Sequence, residues 1–179
     1  MLFYFVRHGQ TDANLSQRLA GSGLDHPLNS TGHAQAQALA AQIRQHIQHP
    51  LHRLIASNMT RARETASHLS TSLGLPIELA ADFREWNLGE WEGQPYSQFA
   101  HLLLGDGEPK QGETRALFYA RIEKVWRSIH HEEKPYLVVS HGAVWLALQD
   151  LLKIPRFKIE NCQVAKIEKG TQGWSARLL

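Results

Sequence analysis

The 179-residue chain has little of several features that would assign a sequence to a class. It contains a single cysteine, Cys162, which excludes an internal disulfide and suits a reducing compartment. Arg7 interrupts the N-terminal apolar run after six residues, and no run of 18 apolar residues follows, so neither a signal peptide nor a membrane span is expected. The formal charge is only +2, which gives no basis for a nucleic-acid or membrane-binding surface. These absences predict a cytoplasmic protein.

Patterns of metal ligands are also missing. The closely spaced histidine pairs are His46 with His49, His49 with His52, and His130 with His131. None of these pairs comes with a cysteine pair, or with a carboxylate in a His-x-x-x-His arrangement. A histidine-rich metal protein is therefore disfavoured, and we expect neither a catalytic metal nor another cofactor.

The chain does contain apolar strand patterns that alternate with helical ones. Hydrophobic residues make up 42% and charged residues 20%, which are globular values, and the length suits one domain over residues 1–179. Strands are expected at 2–6, 52–56, 77–79 and 136–140, with a terminal hairpin of 164–167 and 174–178. Helices are expected at 30–49, 61–73, 96–104, 113–130 and 143–152. This order predicts a three-layer α/β/α sandwich with a mostly parallel central sheet and one antiparallel edge strand.

Several helix boundaries can be assigned to particular residues. Ser30 or Thr31 is expected to cap the first long helix, and Asn58 the next one, which Gly74 ends. Helix 113–130 carries apolar residues on one face, at positions 117, 118, 122, 125, 126 and 129. Residues 8–29 read as a long loop, and loops of that length in a compact domain are usually functional.

Two histidines follow the ends of two predicted strands in the same way. His8 comes directly after Arg7 and the first strand, and His141 comes after the strand 136–140. Because parallel strands share a carboxyl edge, the two imidazoles can converge although 133 positions separate them. Arg61, at a helix start, adds a second guanidinium. Such a group of cations suits a phosphoryl dianion, which arginine binds bidentately and helix N-termini attract.

Five segments of the chain resemble the histidine phosphatase superfamily, also called phosphoglycerate mutase-like, in the family's order and across essentially the full length. They are Arg7-His8-Gly9-Gln10-Thr11-Asp12-Ala13-Asn14, Pro27-Leu28-Asn29-Ser30-Thr31-Gly32, Ser57 with Thr60-Arg61-Ala62, Phe83-Arg84-Glu85 with Gly89-Glu90-Trp91-Glu92-Gly93, and Val138-Val139-Ser140-His141-Gly142.

The resemblance implies catalytic roles for five residues. His8 would be the nucleophile that forms a phosphohistidine, and Glu85 would donate a proton to the leaving oxygen. Arg7, Arg61 and His141 would surround the phosphoryl oxygens.

The resemblance also implies phosphate-binding positions in the loops. These are Gln10, Thr11, Asn14 and Gly21, with Gly142 as a backbone donor. By composition alone Asp82, Glu90 and Glu92 rival Glu85, and we rank them second, as structural residues.

The activity expected from this resemblance is hydrolysis of a small phosphate monoester. Only 56 positions separate Glu85 from His141, which is short for a metabolic mutase and favours a phosphatase over an isomerase of the phosphoglycerate mutase type. A phosphate-binding regulatory module without turnover is a third possibility, although it would usually lack the nucleophile or the acid. Neither the leaving group nor the oligomeric state follows from the sequence.

Selectivity for the leaving group is expected to come from the loops around the site. The candidate segments are 15–27, 86–112 and 158–161. Four aromatic residues are candidates for the pocket wall, although aromatic residues are more often part of the core. They are Trp86, Trp91, Tyr96 and Phe99.

Overall fold

The computed structural model describes residues 1–105, 107–130 and 134–179. His131, a member of one histidine pair above, lies outside the described residues. Within them the strands are β1 (Leu2–Arg7), β2 (Arg53–Ala56), β3 (Ile77–Leu79), β4 (Tyr136–Ser140), β5 (Val164–Gly170) and β6 (Gly173–Leu178). The α-helices are α1 (Asp12–Leu15), α2 (Ser30–His46), α3 (Thr60–Leu73), α4 (Tyr96–Leu104), α5 (Arg115–Ile129) and α6 (Gly142–Leu152). Two short 3-10 helices span Ala81–Phe83 and Gly89–Trp91.

The strands form one sheet in the order β3-β2-β4-β1-β5-β6. Strands β3, β2, β4 and β1 are parallel, whereas β5 runs antiparallel to β1 and β6 antiparallel to β5. The predicted terminal hairpin is therefore the antiparallel edge pair, and the mostly parallel sheet is confirmed. Arg7 lies opposite Ser140 in the pairing of β1 with β4, so His8 and His141 leave neighbouring strands side by side.

Successive side chains of β1 point to opposite faces of the sheet, so this strand contributes to the core on both sides of the sandwich. Phe3 and Phe5 pack on the face covered by α5 and α6, whereas Tyr4 and Val6 pack on the face covered by α2 and α3. Because β1 is buried on both faces, an unbroken apolar run is what its position requires. No helix among the described residues is both long and apolar enough to cross a membrane.

The stretch 8–29 is more ordered than the predicted loop. It contains α1, whose N-cap is Thr11. The Thr11 hydroxyl accepts a hydrogen bond from the Asn14 backbone N–H, and the Asn14 side chain accepts one from the Thr11 N–H. This reciprocal capping box stabilises a four-residue helix that is too short to show a periodic pattern.

Two predicted helix caps were wrong. Asn29, rather than Ser30 or Thr31, caps α2 and accepts a hydrogen bond from the Gly32 N–H. Helix α3 has Met59 at its N-cap instead of Asn58, and the Met59 side chain makes no capping hydrogen bond to the first turn. The carboxylate of Asp25, in the loop before α2, caps the helix instead. It accepts hydrogen bonds from the Thr60 N–H at 2.9 Å and from the Thr60 hydroxyl at 2.8 Å. Tertiary contact has replaced the local cap.

Other helix boundaries differ by a few residues from those predicted from the sequence. Helix α2 ends at His46, and α5 begins after its N-cap Thr114, whose hydroxyl accepts from the Leu117 N–H. Leu117 itself is 63% exposed, so the apolar face of α5 is narrower than predicted. Gly74 ends α3 in the left-handed conformation at φ 70°, as expected of a glycine at that position.

Candidate active site

His8 is fixed in one orientation by hydrogen bonds at both ring nitrogens. Its Nδ1 lies 2.7 Å from the Gly9 carbonyl oxygen, which can only accept, so Nδ1 carries the proton of the neutral ring. Burial, followed by the charges of Arg61 and Arg7, holds the pKa of His8 well below its ordinary value of 6.5. The imidazole is therefore neutral at pH 7, with the lone pair on Nε2.

Arg61 is the nearest cation to that lone pair. Its Nε donates to His8 Nε2 at 3.2 Å, and its Nη2 donates to the Gly21 carbonyl at 2.8 Å. The side chain is only 2% exposed, although it lies in the first turn of α3. Burial lowers the pKa of Arg61, and the carboxylates of Glu85 and Asp25 oppose that shift, so the guanidinium remains charged.

Arg7 approaches the same region from the end of β1. Its Nη1 donates to the Ile159 carbonyl at 3.0 Å, whereas its buried Nε has no hydrogen-bond partner among the described residues. A Cβ added to Gly142 would lie 3.8 Å from that Nε, so the guanidinium sits against the first residue of α6. A buried cationic donor beside a helix N-terminus is suited to an anion.

His141 faces His8 across the site, with 5.1 Å between the ring centroids. Its Nε2 lies 2.8 Å from the Ser57 hydroxyl, and its buried Nδ1 has no hydrogen-bond partner among the described residues. Burial, followed by the charge of Arg61, holds the pKa of His141 well below its ordinary value. Ser57 is part of one of the matching segments, but no role for it was predicted from the sequence.

Glu85 reaches the site beside the start of α6. One carboxylate oxygen accepts from its neighbour Trp86 N–H at 3.0 Å, and the other accepts from Ala143 N–H at 3.3 Å. In its ionised form Glu85 opposes the lowering of the pKa of both Arg7 and Arg61 by burial. The structure therefore brings together Arg7 and His8, Arg61, Glu85 and His141 from four separate segments.

A residue that sequence reasoning missed holds the Glu85 segment in place. Arg121 of α5 donates to the backbone carbonyls of Asp82, Arg84 and Glu85 at 2.8, 2.9 and 3.3 Å. Both of its remaining donors bind the Glu113 carboxylate, at 2.9 and 2.6 Å. Nothing in the sequence of α5 distinguishes Arg121 from the other basic residues on its helix.

The predicted phosphate-loop residues divide into two groups. Gln10 faces α2: its side-chain oxygen accepts from Asn29 at 3.1 Å and its N–H donates to Gln35 at 2.9 Å. Asn14 lies closer to the nucleophile, because Asn161 donates both to the His8 carbonyl at 2.8 Å and to the Asn14 side chain at 3.3 Å. Thr11, fully buried, serves as the cap of α1 described above.

Gly21 has a conformational reason to be glycine. Its φ is +55°, and an added Cβ would lie 2.1 Å from the Glu92 carboxylate. Glu92 in turn accepts from the N–H groups of Gly23 and Leu88, both at 3.0 Å. It therefore joins the loop before α2 to the segment after Glu85, which is a structural position.

The two other carboxylates also have partners outside the catalytic group. Glu90 accepts from Gln111 at 3.0 Å, and Asp82 lies 3.6 Å from Lys124. Of Glu85, Asp82 and Glu90, Glu85 is the one whose charge acts on both Arg7 and Arg61.

The aromatic residues around this segment are mostly core. Trp86 is 3% exposed and stacks on Phe118, and Trp91 is 8% exposed and packs on Phe99. Tyr96, at 46% exposed, is the one of the four that solvent reaches most. The rings of both tryptophans thus pack the fold, as aromatic residues more often do, and their place in a pocket wall stays a prediction.

Comparison with known proteins gives one family. The family model described as "Histidine phosphatase superfamily (branch 1)" matches residues 3–179. Glucosyl-3-phosphoglycerate phosphatase of Mycobacterium tuberculosis is 32% identical over 170 residues, which cover 84% of this chain and 74% of that protein. A protein of Yersinia enterocolitica named "Probable phosphoglycerate mutase GpmB" is 29% identical over 193 residues, covering 97% of this chain and 87% of its own.

Solved structures of similar fold cover nearly the whole chain. The mycobacterial glucosyl-3-phosphoglycerate phosphatase in complex with VO3 superimposes with a TM-score of 0.82 at 26% identity, covering 99% of this chain and 96% of that one. A structure named "Mycobacterial hydrolase 1" superimposes with a TM-score of 0.84 at 25% identity and the same coverage.

Proposed function

Because the chain belongs to the histidine phosphatase superfamily, we propose that it hydrolyses phosphate monoesters through a phosphohistidine on His8. The observation that carries the proposal is the state of the His8 ring. Its Nδ1 proton is held by the Gly9 carbonyl, and its Nε2 lone pair faces the site beside Arg61. A neutral imidazole with one nitrogen free and the other fixed is the form that acts as a nucleophile.

In the first step, His8 Nε2 attacks phosphorus and the bond between phosphorus and the ester oxygen breaks. Glu85, which enters this step protonated, gives its proton to that oxygen, which leaves as an alcohol, and Glu85 is left ionised. Since Arg61 donates to Nε2 in the free protein, the incoming phosphoryl group must take over that hydrogen bond before attack. The nucleophile is thus released at the moment its substrate binds.

In the second step, water attacks the phosphohistidine and inorganic phosphate leaves. Glu85, now ionised, accepts the proton of the water, and the electron pair of the broken P–N bond returns to Nε2. The two steps leave His8 and Glu85 as they began.

Charge on the transferring group is balanced by donors from four places. Arg7, whose Nε has no hydrogen-bond partner in the described part of the chain, and Arg61 supply guanidinium groups, and the first turn of α6 adds backbone dipoles. For His141 we assign the proton to Nδ1. The Ser57 hydroxyl accepts from Met59 N–H at 3.3 Å and donates its own proton to His141 Nε2, which leaves Nδ1–H for a phosphoryl oxygen. Such preorganised donors are usually the largest part of catalysis of phosphoryl transfer.

We favour hydrolysis over transfer of phosphate between positions of one substrate. The segment between Glu85 and His141 is short, and the relative with the higher identity of the two described is named as a phosphatase. A small phosphorylated metabolite in the cytoplasm is the proposed substrate. Phosphoglycerates and their glycosides are the first esters to test, since both relatives carry phosphoglycerate in their names.

The proposal is tested by trapping the intermediate and by following products. Wild-type protein mixed with a labelled phosphate ester and quenched in alkali should retain label on the chain, whereas His8→Asn should retain none. His101→Asn, at an exposed histidine of α4, is the matched control and should behave as wild type. Turnover by His8→Asn at a rate close to wild type would refute the mechanism.

The choice between hydrolysis and isomerisation needs a separate assay. With 3-phosphoglycerate and a catalytic amount of 2,3-bisphosphoglycerate, phosphate release should outrun formation of 2-phosphoglycerate. Isomerisation that outruns release would reverse the choice while leaving the phosphohistidine intact.

A further inference from the structure

A second pair of histidines meets on the outer surface of the helical layer formed by α2 and α3. His33 Nδ1 lies 3.3 Å from His68 Nε2, and the ring planes are inclined by 66°. The two residues are 35 positions apart in sequence, so spacing along the chain did not reveal them. His33 is exposed and His68 is half-buried, which leaves the pair open to solvent.

The separation of the two nitrogens matches that of two ligands on one metal ion. Imidazole nitrogens bind Zn²⁺ at 2.0–2.1 Å, and tetrahedral geometry then places neighbouring ligand nitrogens roughly 3.3 to 3.4 Å apart. The pair therefore already has the spacing that an ion requires. When an ion replaces the shared proton, the two nitrogens can keep this separation while the rings turn to point both lone pairs at the ion.

The surroundings give an ion access and room for water ligands. Beside the pair, α2 and α3 enclose an open groove of about 340 Å³, which is lined by His68 and by polar side chains such as Gln37, Ser67 and Thr71. Among the residues that the structure describes, no group of three or more histidine, cysteine, aspartate or glutamate side chains could hold a metal. The site would therefore consist of two imidazoles, with water in the remaining positions.

We propose that His33 and His68 form a surface site for a divalent transition-metal ion of the Zn²⁺ or Cu²⁺ type, which links α2 to α3. Imidazole is a preferred ligand for these ions, whereas Mg²⁺ and Ca²⁺ prefer oxygen ligands. The site is distinct from the phosphoryl centre. The bound ion would take no part in the proposed phosphoryl transfer, which requires no metal.

Helices α2 and α3, which the ion would link, also enclose Gly9, the residue that follows the nucleophile His8. The Gly9 N–H donates to the Thr65 hydroxyl of α3 at 3.0 Å. On its other side, a Cβ added to Gly9 would lie 2.6 Å from the Gly32 carbonyl of α2. His33 directly follows Gly32, and His68 lies one turn after Thr65. A metal at this pair would therefore stabilise the helix pair that encloses Gly9.

The test is titration of the metal-free protein with Zn²⁺, followed by calorimetry and by thermal unfolding. The variants are His33→Gln and His68→Gln, since glutamine keeps a hydrogen-bonding side chain at the surface but removes the imidazole. Wild type should bind one ion tightly enough to raise its unfolding midpoint as Zn²⁺ increases. Each variant should bind about tenfold more weakly or worse, because one of two linked ligands has been lost.

Two further measurements make the assignment specific. His101→Gln, at an exposed histidine on α4, should bind Zn²⁺ as wild type does. With Cu²⁺, electron paramagnetic resonance of wild type should show coupling to two imidazole nitrogens, and this pattern should be lost in either variant. Equal Zn²⁺ affinity in wild type and in the His33→Gln/His68→Gln double variant would overturn the proposal, as would an unfolding midpoint in wild type that does not respond to Zn²⁺.

Discussion

Arg61 Nε donates a hydrogen bond to His8 Nε2 at 3.2 Å, on the side of the ring opposite the nitrogen that binds the Gly9 carbonyl. The same guanidinium also donates hydrogen bonds to the backbone carbonyls of Gly21 and Leu24. It therefore orients the nucleophile and holds the loop before α2 in place. Because Arg61 is almost fully buried, these contacts are protected from competing water. One side chain thus couples the geometry of the loop to the position of the nucleophile.

This coupling predicts that Arg61→Lys is not a conservative change. Lysine keeps the charge but lacks the planar fork that reaches His8 and Gly21 together. We expect kcat/KM to fall by about 10²–10³-fold, as for removal of one preorganised donor, with a lower unfolding midpoint. Arg63→Lys, at an exposed position of the same helix, is the control and should change neither quantity. Steady-state kinetics of Arg61→Lys within threefold of wild type would contradict the assignment.

The two buried imidazoles predict how stability depends on pH. Since burial, followed by nearby cations, holds the pKa of both His8 and His141 well below 6.5, the unfolded chain binds more protons than the folded one in acid. The free energy of unfolding should therefore fall as the pH drops below about 6.5, by up to about 1.4 kcal/mol per pH unit and per histidine. Above pH 7 neither group contributes a slope.

Urea unfolding at several pH values in phosphate-free buffer measures this slope. His8→Asn should flatten the decline between pH 6.5 and 5 relative to wild type, because one of the two groups has been removed. The comparison of variant with wild type cancels the contribution of surface carboxylates. An identical slope in both proteins would mean that His8 is not buried in the neutral form.

Turnover should not require a metal ion, because arginine and histidine side chains already supply positive charge around the proposed phosphoryl position. Activity should persist after exhaustive chelation, even where chelation removes Zn²⁺ from the His33–His68 pair. Vanadate should inhibit by resembling the five-coordinate phosphoryl group. Loss of activity on chelation that added metal restores would show that the charge has been assigned to the wrong groups.

The sequence predicted the centre of the sheet because strands β1, β2 and β4 are buried on both faces and contain unbroken apolar runs. Strands β1 and β4 are the clearest cases, and the convergence of His8 with His141 follows from their parallel pairing. The caps of α2 and α3 were missed for a physical reason. Asp25 satisfies the first turn of α3 from across a loop, and no local pattern encodes such a contact.

Residues that act through backbone carbonyls were the least predictable part of the site. Asn161 holds the His8 carbonyl and Arg121 holds the Glu85 segment, although each is an ordinary polar residue in its own stretch of sequence. Their roles depend on the three-dimensional position of main-chain atoms, which side-chain patterns do not report. Ser57 lay within a matching segment, but only the structure pairs it with His141.

Arg121 is predicted to position the proton donor without touching the substrate. Arg121→Lys should lose the bidentate pair with Glu113 and at least one carbonyl contact, which allows the Glu85 segment to shift. Displacement of a catalytic group by about 1 Å can cost about 10²-fold, so we expect a fall in kcat of ten- to hundredfold on alkyl phosphates, with little change in KM. Arg127→Lys, exposed on the same helix and paired with Glu123, should have no effect.

The dependence on leaving group separates positioning from general loss of stability. If Arg121 acts through Glu85, its substitution should reduce turnover of alkyl phosphates more than turnover of p-nitrophenyl phosphate. A purely structural role would lower the unfolding midpoint and reduce turnover of both substrates equally, which would contradict the prediction.

Glu85→Gln tests the proton donor directly and distinguishes the enzyme from a phosphate-binding module. Glutamine keeps the size of the side chain and can still accept from the Ala143 N–H through its carbonyl oxygen, but it has no proton to give. An alkyl phosphate leaves as a strongly basic alkoxide, for which general acid catalysis is worth roughly 10²–10⁴-fold. Nitrophenolate is a weak base and needs little help. Provided that formation of the phosphohistidine limits the rate, the variant should lose much of its activity on alkyl phosphates and distinctly less on p-nitrophenyl phosphate.

Glu85 is also proposed to activate the water of the second step, so dephosphorylation can become limiting in the Glu85→Gln variant. In that case p-nitrophenyl phosphate should give a burst of nitrophenol, equal to about one per active site, before a slow steady state. Glu92→Gln is not a suitable control because Glu92 joins two loops, whereas Glu90→Gln, whose partner is the exposed Gln111, should leave both steps unchanged. Pre-steady-state kinetics on both substrates covers each case. An equal loss on the two substrates without a burst would mean that Glu85 is not the acid, and Asp82 would then be the next carboxylate to test.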